Sequence, residues 1–214
     1  MKLLAIDTSC DFLGLAVLED ETVKASLVNR LDRTHASVLI PRIKEMLNLS
    51  GFSFDMLDGF VLDIGPGSFT GLRIGVATVK GFLSVYKKGI KLIKSLEVIA
   101  ANLNYSNLDI CTVLDAKKNN FYFCLFRRIG ETLKPISKYQ LLKVEELISK
   151  IKGQTIFLGD GLLIIKDLLK KRLGDKARFA DKELWYPKPE KLGLIGYKRI
   201  KKQGFDNKKD LLPF

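Results

Sequence analysis

Gly65-Pro66-Gly67-Ser68-Phe69-Thr70-Gly71-Leu72-Arg73-Ile74-Gly75 is the stretch on which the fold turns. It follows Gly59 to Ile64, a nearly all-apolar run that reads as a fully buried strand. Neither helix nor strand continues through Gly-Pro-Gly, so the chain turns there. A helix then runs from about Thr70 to Tyr86, with Gly71, Gly75 and Ala77 in its first half and Gly81 further on. Each helical glycine costs roughly 0.5–1 kcal/mol relative to alanine. Their presence implies close backbone approach by a neighbour, in this chain or in a partner. A glycine-rich loop opening a helix also presents free N–H groups and a positive helix end, which suits a phosphate. The lysine and spacing of a P-loop are absent. A tight structural turn and an anion site both stay open.

Upstream, Lys2 to Ile6 reads as a short strand ending in Asp7-Thr8-Ser9. Leu13, Leu15 and Val17 alternate with small or exposed positions, as do Val23, Ala25 and Leu27 after the Glu19-Asp20-Glu21 turn. A helix follows from about His35 to Leu49, with Thr34 as N-cap and Pro41 expected to bend it. Its apolar stripe is Val38, Leu39, Ile43, Met46 and Leu47.

Downstream, a second lobe begins near Ser95. Leu108 to Leu114 and Phe121 to Arg127 read as a strand pair, and Leu133 to Leu141 as a third strand. A helix (Val144 to Lys152), a strand (Thr155 to Leu158) and a lysine-rich helix (Leu162 to Leu173) come next. The last helix starts at Pro189 and stops before Gly204. The order gives an α/β chain of two lobes, 1–95 closed by helix 189–203, and a smaller lobe over 96–188.

Composition narrows the chemistry. The chain has 214 residues, three widely separated cysteines and a single histidine, His35. A disulfide framework, a zinc knuckle and any two-histidine site are excluded by count and spacing. The longest apolar run, Phe121 to Phe126, is six residues, and Leu3 to Ile6 and Leu162 to Ile165 are four, too short for a signal sequence or a membrane span, so a cytoplasmic location is expected. The formal charge is +12, and residues 161–214 carry 15 basic and 7 acidic residues. That surplus suits nucleic acid or acidic protein, and equally a lysine-rich solvated surface.

Asp7, Thr8 and Ser9, with Gly65, Gly67 and Ser68, are the candidate phosphate residues, of a vestigial site. Ser and Thr also satisfy turns of this kind without any ligand. Asp115-Ala116-Lys117-Lys118 reads as a site or as a charged hairpin turn, and spacing does not choose. Cys10 has no histidine beside it in sequence. No Ser-His-Asp set or paired-carboxylate arrangement is legible.

Asp7-Thr8-Ser9, His35 followed by Leu39, Ile40 and Pro41, the full Gly65 to Gly75 run, Asp115-Ala116, Gly159-Asp160-Gly161 and Leu212-Pro213 together resemble the TsaB/YeaZ family. The resemblance spans nearly the whole chain. It implies an α/β fold of the actin/Hsp70/sugar-kinase (ASKHA) type with a reduced second lobe. It implies a non-catalytic subunit in the making of threonylcarbamoyladenosine in tRNA. The implied partners are a TsaD-like catalytic paralogue and a TsaE-like ATPase, with a homodimer when the chain is alone. Direct contact with tRNA stays open. No cofactor is required, although a nucleotide at the partner interface is compatible with the family. The paralogue's metal-binding His-x-x-x-His reads His35…Leu39 here, which removes that site. The family's Asp-Ala-Arg reads Asp115-Ala116-Lys117, and lysine lacks arginine's fork.

The same resemblance places the partner interface on the first two helices, at His35, Leu39, Ile43, Gly71, Arg73, Ile74, Gly75 and Thr78. Gly71 and Gly75 are expected to let helices pack closely across it. An independent nucleotide-binding ASKHA protein and a glycoprotease-like metallohydrolase are the competing readings.

Overall fold

The computed structural model describes residues 1–30 and 35–212, the side chain of His35 excepted. The N-cap expected of Thr34 and the closing Pro213 lie outside the described residues. The chain divides into two compact units, Met1–Ser95 with Pro187–Phe214, and Leu96–Tyr186. The first unit opens with β1 (Lys2–Asp7), β2 (Phe12–Glu19) and β3 (Thr22–Arg30), an antiparallel meander. Helix α1 (His35–Leu49) leads to β4 (Gly59–Asp63), and α2 (Phe69–Val85) leads to β5 (Gly89–Ile93). The sheet order is β3-β2-β1-β4-β5, with β4 parallel to both β1 and β5. Leu4, Ile6, Phe60 and Leu62 meet Leu39, Ile43, Met46, Val76 and Val79 in one core, so α1 and α2 cover one face.

The second unit opens with α3 (Ser95–Ala100) and the hairpin of β6 (Asp109–Asp115) with β7 (Phe121–Ile129). The single strand expected over Leu133 to Leu141 is two. β8 (Thr132–Pro135) pairs with the end of β7, and β9 (Gln140–Leu142) with its start. Between them Ser137 Oγ accepts the Leu125 N–H at 2.9 Å, so a side chain interrupts the ladder. Helix α4 (Val144–Lys150), strand β10 (Thr155–Leu158), helix α5 (Leu162–Leu173) and edge strand β11 (Ala177–Phe179) follow. Phe121, Phe123, Phe126, Phe157 and Trp185 fill this unit's core.

The chain then returns to the first unit as α6 (Pro189–Gln203). It covers the sheet face opposite α1 and α2, with Gly193 against Leu18 and Gly196 against Val61. This corrects the alternation expected of β2: Leu13 to Leu18 are buried on both faces, because the closing helix hides the side that the meander alone would leave wet. Beyond α6, Phe205 lies across Gly59 and Gly89, and Asp206 donates its N–H to Ile90 O at 2.8 Å. Among the described residues no helix is long and apolar enough to cross a membrane.

Candidate functional site

The register of β1 and β4 pairs Ile6 with Leu62. One residue further along, both strands end in aspartate, so Asp7 and Asp63 stand side by side on one face. Both are buried. Each ties down the turn that follows it. Asp7 Oδ1 accepts the Ser9 N–H at 2.7 Å, and Asp63 Oδ1 accepts the Gly65 N–H at 2.8 Å and the Ser95 hydroxyl at 2.6 Å. Asp63 Oδ2 and Thr8 Oγ1 have no hydrogen-bond partner among the described residues.

Two carboxyls in one dry place cannot both ionise easily. Burial pushes Asp7 up to about 6 against the pull of the Ser9 N–H and hydroxyl. Burial, and then the charge of Asp7, holds Asp63 well above the usual carboxylate range. The pair therefore titrates as a unit, with both carboxyls held above the usual carboxylate range by burial.

The glycine loop closes over these strand tips. Ser68 donates its N–H to Ser9 O at 2.6 Å and caps α2 by accepting the Gly71 N–H at 3.3 Å. A Cβ at Gly67 would stand 2.2 Å from Ser9 O, at Gly71 2.1 Å from Thr8 O, and at Gly75 2.5 Å from Thr8 Oγ1. No side chain fits at those separations. The close neighbour of the glycines is thus the chain's own β1–β2 turn. This corrects the expectation that Gly71 and Gly75 exist to admit a partner helix.

The vestigial phosphate site is tested by its donors. The N–H groups of Ser9, Gly65 and Ser68 are held by Asp7, Asp63 and Ser9, and Thr8 Oγ1 is covered by Gly75. Asp7, Thr8 and Ser9 are buried, and acids rather than cations lie beneath them. The turn reading accounts for the bonds that the N–H groups of Ser9, Gly65 and Ser68 make, while Gly67 and Ser68 stay exposed at the start of α2. The hydroxyl-rich turn is a lock between β1, β4 and α2.

The expected interface residues scatter. Leu39 and Ile43 are fully buried in the first core, which corrects their assignment to a partner surface. Arg73 is exposed, and Ile74 and Thr78 are half-buried. His35 opens α1, and its side chain is not described. The outward residues that sequence reasoning missed are Ile40, 44% exposed, and Phe69, 64% exposed. Arg73 lies over the Phe69 ring at 3.9 Å. The missed signal was position: Ile40 falls one residue off the buried stripe of α1, and Phe69 precedes the first buried turn of α2.

In the second unit, Asp115 to Asn120 form a hairpin turn. Asp115 accepts the Lys117 N–H at 2.8 Å and its ammonium at 2.7 Å, and donates its own N–H to Asp160 at 3.0 Å. Lys117, Lys118 and Asn119 are left-handed, at φ 65, 52 and 58°. Gly159, at φ 117°, sits where a Cβ would be 2.1 Å from Val113 O. The charged-turn reading holds for Asp115-Ala116-Lys117-Lys118. Among the described residues no three of His, Cys, Asp and Glu gather as metal ligands would.

The profile of the family described as "TsaD: tRNA N6-adenosine threonylcarbamoyltransferase" matches residues 29–211. The chain is 29% identical to the tRNA threonylcarbamoyladenosine biosynthesis protein TsaB of Bacillus subtilis, over 92% of this chain and 87% of that one. The solved structure of YeaZ from Pseudomonas aeruginosa superposes with a TM-score of 0.85 at 21% identity, covering 100% of this chain and 98% of that one. The ethanolamine utilization protein EutJ of Carboxydothermus hydrogenoformans shares the fold more distantly, with a TM-score of 0.53 at 11% identity over 91% and 89%. The architecture is that of the ASKHA proteins. The chain belongs to the TsaD-type threonylcarbamoyltransferase family, in its TsaB/YeaZ group.

Proposed function

We propose that this chain is a non-catalytic subunit of tRNA threonylcarbamoyladenosine biosynthesis that pairs with a TsaD-like catalytic paralogue. The observation that carries the reading is the interlocked pair of strand tips. Asp7, Asp63 and Ser9 are buried and hold the backbone of the turns beside them, and Asp63 Oδ2, which has no partner among the described residues, is buried with them. A catalytic site needs a nucleophile, base or electrophile aimed at space a substrate can enter. Here the equivalent chemistry is turned inward, and the lock serves to hold α2 in place.

What α2 presents outward supports the partner role. Phe69 and Arg73 form an exposed aromatic–guanidinium pair on α2, and Ile40 is an exposed aliphatic residue of α1, which packs beside α2. Aromatic residues and arginine are the side chains enriched at interface centres. In the absence of the paralogue, the same patch would pair two copies of this chain. A TsaE-like ATPase completes the proposed assembly, which works in the cytoplasm, and no cofactor bound by this chain is required.

The experiment is co-purification of this protein with the paralogue from its own organism. Phe69→Asp with Arg73→Glu is expected to lower recovery at least tenfold while the far-ultraviolet spectrum stays that of the wild type. Wild-type recovery of the folded variant would sink the assignment of the patch.

A further inference from the structure

The end of α5 and the edge strand beyond it carry a charge pattern that the pairing face leaves unexplained. Between Lys166 and Arg178 there are six cations and two carboxylates, Asp167 and Asp175. The cations are Lys166, Lys170, Lys171, Arg172, Lys176 and Arg178, and all six are exposed. Lys166 stacks over Phe179 of β11 at 5.4 Å and over Trp185 at 5.8 Å, which brings helix and edge strand into one neighbourhood. Among the described residues no carboxylate lies within ion-pair distance of the other five. By contrast, Arg127 is clasped by Asp109, and Arg42 by Glu45.

Helix electrostatics account for part of the pattern only. Lys170, Lys171 and Arg172 occupy the last turn of α5, where cations offset the negative helix end. Lys176 and Arg178 lie beyond the helix, and Arg178 projects from a strand with no neighbour on its outer side. From Lys170 to Arg178 the residues between the cations are a half-buried Leu173, an exposed Gly174, an exposed Asp175 and a buried Ala177. No exposed apolar or aromatic group punctuates that stretch; the exposed Leu163, Ile164 and Leu168 lie on the earlier turns of α5. Protein interfaces are depleted in lysine at the centre and built around apolar anchors. Contacts to a phosphate backbone are made by lysine and arginine with no such anchor.

We infer that the C-terminal end of α5 together with β11 is a docking surface for the phosphate backbone of RNA, and that in the proposed function this RNA is the tRNA substrate. The inference rests on that reading for the identity of the RNA. The contact is electrostatic and blind to base sequence, since no exposed ring is available to stack a base. Each phosphate contact contributes a slope of about −0.7 to −0.9 in a log–log plot of affinity against salt, so five cations give about −3.5 to −4.5.

The test is fluorescence anisotropy of an unmodified tRNA transcript with the full chain, from 50 to 200 mM salt. Two variants are compared with wild type: Lys170→Glu/Lys171→Glu/Arg172→Glu, and Arg178→Glu alone in case the triple change disturbs α5. Wild type is expected to bind with the steep slope. The triple variant should lose at least tenfold affinity at low salt and flatten the slope by about 2 to 3, and Arg178→Glu should flatten it by about 1. Co-purification with the paralogue is measured on the same variants and should not change. Unaltered affinity and slope in both variants would overturn the inference. So would loss of co-purification with RNA binding intact, which would mark the surface as one for an acidic protein. If wild type fails to pair with the paralogue yet binds RNA as described, the subunit reading fails and this surface stands.

Discussion

A Cβ on Gly71 would stand 2.1 Å from the carbonyl oxygen of Thr8, so helix α2 lies directly on the turn that ends β1. The glycines of the signature stretch therefore serve the fold of the first unit before they serve any partner. Gly71→Ala should destabilise the protein by about 1–3 kcal/mol or more, because backbone must move to admit the methyl. Gly81 lies on the same helix with nothing within 4 Å of its added Cβ. Gly81→Ala should stabilise by about 0.5–1 kcal/mol through helix propensity alone. Urea unfolding of the two variants beside wild type checks the pair, and equal losses at both positions would refute the close-approach account.

The carboxyl pair gives stability an unusual dependence on pH. Asp7 is raised to about 6 by burial, and Asp63 is held well above the usual carboxylate range by burial and then by the charge of Asp7. Between an unfolded value near 4 and the folded value near 6, the native state holds more protons than the unfolded one, so stability falls as pH rises. Asp7 alone should account for a decline of about 3 kcal/mol, and Asp63, raised for the same reason, should add to it. Asp63→Asn keeps an acceptor for Gly65 and Ser95 without a titrating group. It should flatten the profile and raise stability at pH 8 relative to wild type, as read from urea midpoints at pH 5 and pH 8. A wild-type protein that gains stability between those values would contradict the pairing.

A second charge device closes the sheet edge. The Lys91 side chain is 5% exposed and donates to Asp206 at 2.6 Å and to Gly204 O at 2.9 Å, while Asp206 also accepts the Leu92 N–H at 2.8 Å. Removing one partner leaves a buried ammonium without its counter-charge, a loss of about 3–5 kcal/mol. Asp206→Ala should therefore cost several times more than Lys91→Met, since Asp206 is the more exposed partner. Thermal unfolding of both singles and the double variant forms a cycle. Additive losses would show that the two groups do not act together.

Much of the architecture was legible because local signals were strong. The apolar run Gly59 to Ile64, the stripe of α1 and the Pro189 start of α6 placed their elements within a residue or two. Strand β5 was missed because Lys91 interrupts its apolar run, and the group that neutralises it, Asp206, lies 115 residues away. The double-sided burial of β2 depends on α6, whose glycines meet the sheet only in three dimensions. The site divided along the same line. That Asp7, Ser9 and the glycine loop matter was readable from residue type. That they face one another, with Asp63 as the second carboxyl, follows from the parallel pairing of β1 with β4, which no local pattern encodes.

The central claim is that this chain activates a catalytic paralogue rather than performing the chemistry. Its most direct test is threonylcarbamoyl transfer to tRNA by the same organism's TsaD-like and TsaE-like proteins, with and without this protein. Transfer that requires the protein and persists with Asp7→Asn and His35→Ala is the expected result. Transfer that proceeds equally well without the protein, or that is abolished by a folded Asp7→Asn variant still paired with its paralogue, would contradict it.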